Sequence, residues 1–74
     1  MNEDSPESKL GKAMKELRQE KGFSQEVLSF ETELHRTYIS SVERGCRNIS
    51  LANIIAIAKA LGVSASELLK RAGL

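Results

Sequence analysis

The stretch Ser24–Gly45, SQEVLSFETELHRTYISSVERG, decides the fold. Its apolar residues recur at helical spacing in two short runs with a break between them. Ser24 is a good N-cap, because its hydroxyl can accept from a free backbone N–H at a helix start. Gln25 to about Thr32 then forms a helix that turns Val27 and Leu28 inward, with Phe30 a weaker candidate for the same side. Glu33 and Leu34 interrupt the pattern. A second helix runs from about Arg36 to Arg44, with Ile39 and Val42 three apart on one face. Gly45 ends it, since glycine tolerates the left-handed backbone of a helix C′ position. Two short helices across a tight turn have helix-turn-helix geometry. The second helix hides only Ile39 and Val42 and leaves Arg36, Thr37, Ser40 and Ser41 outward, which is what a helix that reads DNA requires.

Four motifs then fall in order: Ser24-Gln25-Glu26 with Leu28, Tyr38-Ile39-Ser40, Val42-Glu43-Arg44-Gly45, and Arg47-Asn48. The first three closely resemble the phage repressor and Cro family, also called the xenobiotic response element family, over roughly residues 9–70. The run Arg36-Thr37-Tyr38-Ile39-Ser40, continued by Val42-Glu43-Arg44 and Arg47-Asn48, is similar to the controller proteins of restriction–modification systems. The resemblance implies an all-α fold, a compact bundle of five short helices like the lambda repressor DNA-binding domain. It implies binding to palindromic operator DNA as a homodimer. For the controller branch it implies activation at low occupancy and repression at higher occupancy, with RNA polymerase as a further partner. It also implies an ion pair between Arg18 and Glu43 that ties the first helix to the reading helix; the alternative is an Arg18 that snorkels to solvent. Three residues depart from the family pattern. Glu33 stands where Gly is usual, which puts an acidic residue at positive φ. Ser29 replaces a small Ala, and His35 replaces Ser, Thr or Asp as the cap of the reading helix.

Seventy-four residues make one small domain. A chain of this size buries only about 60% of its unfolded surface, so help from a partner subunit is expected. The formal charge of +1 does not by itself suggest nucleic acid. Its distribution is more telling. Glu3, Asp4 and Glu7 sit in the first eight residues without a base, while Arg36, Arg44 and Arg47 face a single acid, Glu43, between residues 36 and 48. One cysteine permits no internal disulfide and no cysteine-based zinc site. No apolar run approaches membrane-spanning length and no signal peptide opens the chain, so a cytoplasmic protein with no membrane partner is expected. A single histidine, a single cysteine and no glycine-rich phosphate loop leave no catalytic constellation, no metal site and no cofactor site.

In chain order, residues 1–4 are a flexible leader and a helix starts at Ser5-Pro6-Glu7, with Ser5 as cap and Pro6 at the first helical position. With a later start near Ser8, the flexible acidic leader covers residues 1–7 and the single domain residues 8–74. That helix runs to about Lys21 with Leu10, Ala13, Met14 and Leu17 inward; Gly22 stops it and Phe23 is a core anchor. The helix-turn-helix spans residues 24–45. Ser50 caps a fourth helix from Leu51 to about Leu61, with Leu51, Ile54, Ala58 and Leu61 as its core stripe. Ser64 caps a fifth, with Glu67 completing a capping box, to about Ala72. Ile55 and Ile57 are surplus to the stripe, Leu68 and Leu69 are adjacent, and Leu74 ends the chain. Helices four and five, residues 50–72, are therefore the expected dimer interface, formed by Ile55, Ile57, Leu68, Leu69 and Leu74. The alternative is that Ile55 or Leu69 fills a loose single-subunit core.

Within the motif, Arg36 can donate two parallel hydrogen bonds to a guanine edge; otherwise it is a solvated arginine. Thr37 can offer a methyl or a hydroxyl to a base, with Ser41 one turn on and Ser40 beside them; the plain alternative is polar surface. Gln25 at a helix N-terminus, His35, Arg44, Arg47 and Asn48 are candidate phosphate contacts, which position a protein without reading sequence. Tyr38 is either a phosphate contact or a ring bracing the second helix. Cys46, between two arginines, is read as an ordinary loop cysteine rather than a redox switch. The competing function is a protein-docking module of the same fold, an antitoxin or a transcriptional bridging protein. The polar set Arg36, Thr37, Ser41 argues against it, because a docking face would be more apolar.

Overall fold

The computed structural model describes residues 4–74. Five helices follow one another: α1 (Pro6–Glu20), α2 (Gln25–Thr32), α3 (Arg36–Glu43), α4 (Leu51–Ala60) and α5 (Ala65–Arg71). Each begins where a side chain satisfies an orphan N–H of the first turn. Ser5, Ser24, Ser50 and Ser64 accept from the backbone N–H of Ser8, Val27, Asn53 and Glu67, and Glu67 returns a bond to Ser64 as a capping box. His35 caps α3 through Nδ1, which accepts from Thr37 N–H at 3.1 Å. α1 starts at Pro6, so residues 6 and 7 belong to the helix and not to a leader. Of the expected leader, residues 1–3, with Glu3, lie outside the described residues. Arg44 and Leu61 are C-caps rather than helical residues.

The turn between α2 and α3 accommodates its missing glycine with side chains. Glu33 has φ 59° and ψ 17°, the left-handed conformation. Ser29 Oγ donates to the Leu34 carbonyl at 2.5 Å, and Thr32 Oγ1 donates to the Leu28 carbonyl while accepting from Leu34 N–H. The departures at Glu33 and Ser29 thus belong together: the hydroxyl that replaces a methyl group tethers the turn that lacks glycine.

One core draws on all five helices and the residue after α4. Leu10, Ala13 and Met14 of α1 meet Leu28 of α2, Ile39 and Val42 of α3, Ile57 and Ala58 of α4, Leu61, and Leu68 of α5. Inward and outward assignments change at several apolar residues. Val27 is 40% exposed and Leu51 68% exposed, whereas Ile57 and Leu68 are fully buried. In α4 the cause is its composition, apolar on nearly every side, so that Ile54, Ile57, Ala58 and Leu61 make a stripe as regular as one containing Leu51. Phe23 is only half-buried, beneath the Lys21 ammonium at 5.3 Å from the ring centre, and is not a core anchor.

α1 lies directly against the C-terminal end of α3. Gly11 is buried there, and a Cβ in its place would clash with the Val42 carbonyl oxygen and sit 2.8 Å from that of Glu43. On the facing side Gly45, at φ +76°, comes so near Ser8 that a Cβ would fall 2.8 Å from its Cα. Backbone rests on backbone, so α1 sets the angle at which α3 leaves the bundle. Among the described residues no single helix is long and apolar enough to cross a membrane.

Candidate nucleic-acid interface

The hidden side of α3 is Ile39 and Val42, as its spacing predicts. On the outer side Arg36 and Thr37 are exposed and Ser40 is half-buried. Together with Gln25 and His35 they line one shallow open groove where α2 and α3 begin. Five of the residues singled out in the sequence are therefore neighbours.

Ser41 is the exception and is not an outward residue. It is 6% exposed, because the loop after α3 folds back over it. Its hydroxyl donates to the Tyr38 carbonyl at 2.7 Å and accepts from Arg47 Nε at 3.1 Å. Helical spacing put it on the same face as Thr37; the later loop returns to it there, through Arg47 and through Cys46 N–H, which donates to the Ser41 carbonyl. Tyr38 is half-buried, as its bracing reading has it, but the contacts it makes lead to α4 and the later loop: Arg47 stacks on the ring, and the hydroxyl accepts from Asn53 Nδ2 at 3.1 Å. Asn53 escaped the sequence reading. The available signal was a lone amide in the first turn of an otherwise apolar helix that follows a basic loop.

Arg18 and Glu43 form a two-pronged pair. Arg18 Nε donates to Glu43 Oε2 at 2.6 Å and Nη2 to Oε1 at 3.0 Å, while Nη1 donates to the Phe23 carbonyl at 2.8 Å. The Glu43 hydrogen bond, with help from its charge, outweighs burial and raises the Arg18 pKa above the ordinary arginine value, so the guanidinium stays charged. Gln25 joins the pair: its Nε2 donates to Glu43 Oε1 at 3.0 Å. That amide is a joint between α2 and α3, and not simply a free donor awaiting a phosphate. The cluster links three helices through one carboxylate whose side chain is 3% exposed. Such geometry specifies orientation more than it adds net stability.

Around this frame Arg44, Arg47 and Asn48 are exposed. Arg44 Nη1 donates to Ser40 Oγ at 2.9 Å, back along α3. Cys46 is exposed beside the Arg44 carbonyl, with Sγ at 3.9 Å.

The expected dimer residues divide. Ile57 and Leu68 cannot serve, because each is fully buried in its own subunit. Ile55 at 50% and Leu74 at 54% are exposed, Leu69 is half-buried against the core, and Leu51 joins them from the discarded stripe. Leu51 and Ile55 are one turn apart and so share the outer side of α4.

Comparison with known proteins agrees with this geometry. A family model described as helix-turn-helix matches residues 14–68. Control protein C.BamHI of Bacillus amyloliquefaciens is 55% identical over 61 residues, which cover 81% of this chain and 75% of that protein. The restriction-modification controller protein C.AhdI from Aeromonas hydrophila has a solved structure that matches with a TM-score of 0.79 at 50% identity, over 81% of this chain and 91% of that one. The controller protein C.Esp1396I, solved as a tetramer in complex with its natural 35 base-pair operator, matches with a TM-score of 0.79 at 37% identity, over 93% of this chain and 96% of that one.

Proposed function

Because the chain belongs to the Cro/C1-type helix-turn-helix family and is similar to restriction-modification controller proteins, we propose that it binds operator DNA sequence-specifically as a homodimer and regulates transcription. The observation that carries this is the split of α3. Ile39 and Val42 are buried, Arg36 and Thr37 stand in solvent at the start of the helix, and the Arg18–Glu43 pair fixes the helix to its support. An arginine and a threonine at the first two positions of a reading helix are placed to meet base edges in the major groove. Arg44, Arg47 and Asn48 would hold the backbone alongside. A single reading helix spans too few base pairs for useful specificity, which is the argument for two-fold pairing. Leu51, Ile55, Leu69 and Leu74 are the surface offered for it. The controller-type relatives support a promoter of a restriction–modification operon as the target. Activation and then repression, with RNA polymerase met at that promoter, completes the reading and places the protein on cytoplasmic DNA.

Selection of bound duplexes from a random pool tests the proposal. Recovery of a two-fold symmetric motif with half-sites about one helical turn apart is expected. Recovery of no enriched sequence would reject sequence-specific binding. Docking to a protein has one observation in its favour, Phe30 at 84% exposure on α2. The same selection separates the two, since a docking module enriches nothing.

A further inference from the structure

The loop that leaves α3 does not run away from it. Arg47 turns back along the helix, its Nε donates to Ser41 Oγ at 3.1 Å, and its guanidinium carbon lies 5.4 Å from the centre of the Tyr38 ring. Ser41 is suited to accept because its own proton is committed to the Tyr38 carbonyl one turn back, at 2.7 Å. At 6% exposure it leaves little room for water to take its place. The ring beneath the guanidinium is held in turn, through the bond from Asn53 Nδ2 on α4 to the phenol oxygen. Among the described residues only Nε of this guanidinium is spent on a hydrogen bond inside the protein. Nη1 and Nη2, the fork that matches phosphate and base acceptors, remain available.

A long loop side chain loses rotamer freedom when it grips a ligand, and restraint already present in the free protein removes that loss. We propose that Ser41 and Asn53 are positioning residues for DNA binding, acting through Arg47 by holding it stacked on Tyr38 with its terminal nitrogens presented to the duplex. This rests on the DNA-binding function proposed above. It also reassigns Ser41, whose position in the motif suggests base contact, to the support of another side chain.

Double-mutant cycles test it. Ser41→Ala and Asn53→Ala are each measured for affinity to the selected duplex, once with Arg47 present and once in an Arg47→Ala background. Each should weaken binding roughly fivefold to tenfold with Arg47 present and have almost no effect without it. A full effect that survives in the Arg47→Ala background would mean a direct or merely structural contribution and would overturn the proposal, as would no effect with Arg47 present. If Ser41→Ala does not fold, Asn53→Ala carries the test alone. The Asn53 backbone N–H is already capped by Ser50, and alanine is the better helix former. A second readout needs no DNA. Hydrogen exchange at Arg47 Nε–H should be slower than at the solvent-facing Arg36 Nε–H, and should rise to the same rate in Ser41→Ala. Fast exchange in the unaltered protein rejects the positioning role alone, whereas failure of the unaltered protein to bind any duplex rejects the function on which it rests.

Discussion

Arg18 and Arg36 are two arginines with opposite situations. Arg18 is 8% exposed with Nε, Nη1 and Nη2 all bonded, and its removal strands the Glu43 carboxylate inside the protein. Breaking a buried pair from one side is costly, so Arg18→Ala should lose about 3 kcal/mol or more of unfolding free energy, read from urea denaturation. A loss under about 1 kcal/mol would place the pair energetically at the surface. Its raised pKa means that the stabilisation is complete below the ordinary arginine value and lost only as pH climbs through the still higher folded value. The Arg18 contribution should therefore be flat across the neutral range. Arg36 is exposed, and nothing in the core depends on it. Arg36→Ala should leave helix content unchanged while costing about 1–3 kcal/mol at the selected site, with relaxed preference at one base pair per half-site. Equal weakening on scrambled DNA would make it a phosphate contact instead. Arg47→Ala should differ in lowering the slope of log affinity against log salt, by roughly 0.9 for each phosphate that the guanidinium neutralises.

At the scale of elements, α2 and α3 were readable because caps and breaks are local. Ser24, Ser50 and Ser64 cap where they stand, and the Ser64–Glu67 box closes within four residues. Even the strained turn was visible, since Glu33 occupies a place that favours glycine. Glu33→Gly should therefore raise stability by about 0.5–1 kcal/mol, seen as a melting temperature higher by a few degrees. A lower melting temperature would show that the glutamate side chain contributes more than its backbone strain costs. α4 was the opposite case. A helix reading LANIIAIAKA is apolar around most of its girth, so periodicity offers several stripes and chooses none.

For the whole molecule the question is what covers the outer side of α4. Leu51 and Ile55 are 68% and 50% exposed in the single chain. Ile55→Glu should leave that chain folded, and a charge in a self-pairing patch meets its own copy across the two-fold axis. Sedimentation should then find a monomer, whereas the unaltered protein should sediment as a dimer at micromolar concentration, and operator affinity should fall steeply while weak non-specific binding is retained. A dimer that persists in Ile55→Glu would move the interface elsewhere. Leu69→Glu is the less clean probe, because Leu69 also packs on its own core.

The sequence by itself determined the five helices, their caps, the helix-turn-helix and the pairing of Arg18 with Glu43. Each of these rests on short-range periodicity, on a capping side chain, or on a motif whose residues resemble a known family. The tertiary structure alone decided the fate of Ser41, Tyr38, Ile57 and Leu68. Ser41 and Thr37 share a helical face, yet Ser41 is covered because Arg47, six residues on, returns over it. Ile57 and Ile55 are alike in composition and differ only in which neighbours the bundle brings to them. Exposure is a property of what packs against a face, and for these residues the packing partner comes from another helix or from a returning loop, beyond the reach of local spacing.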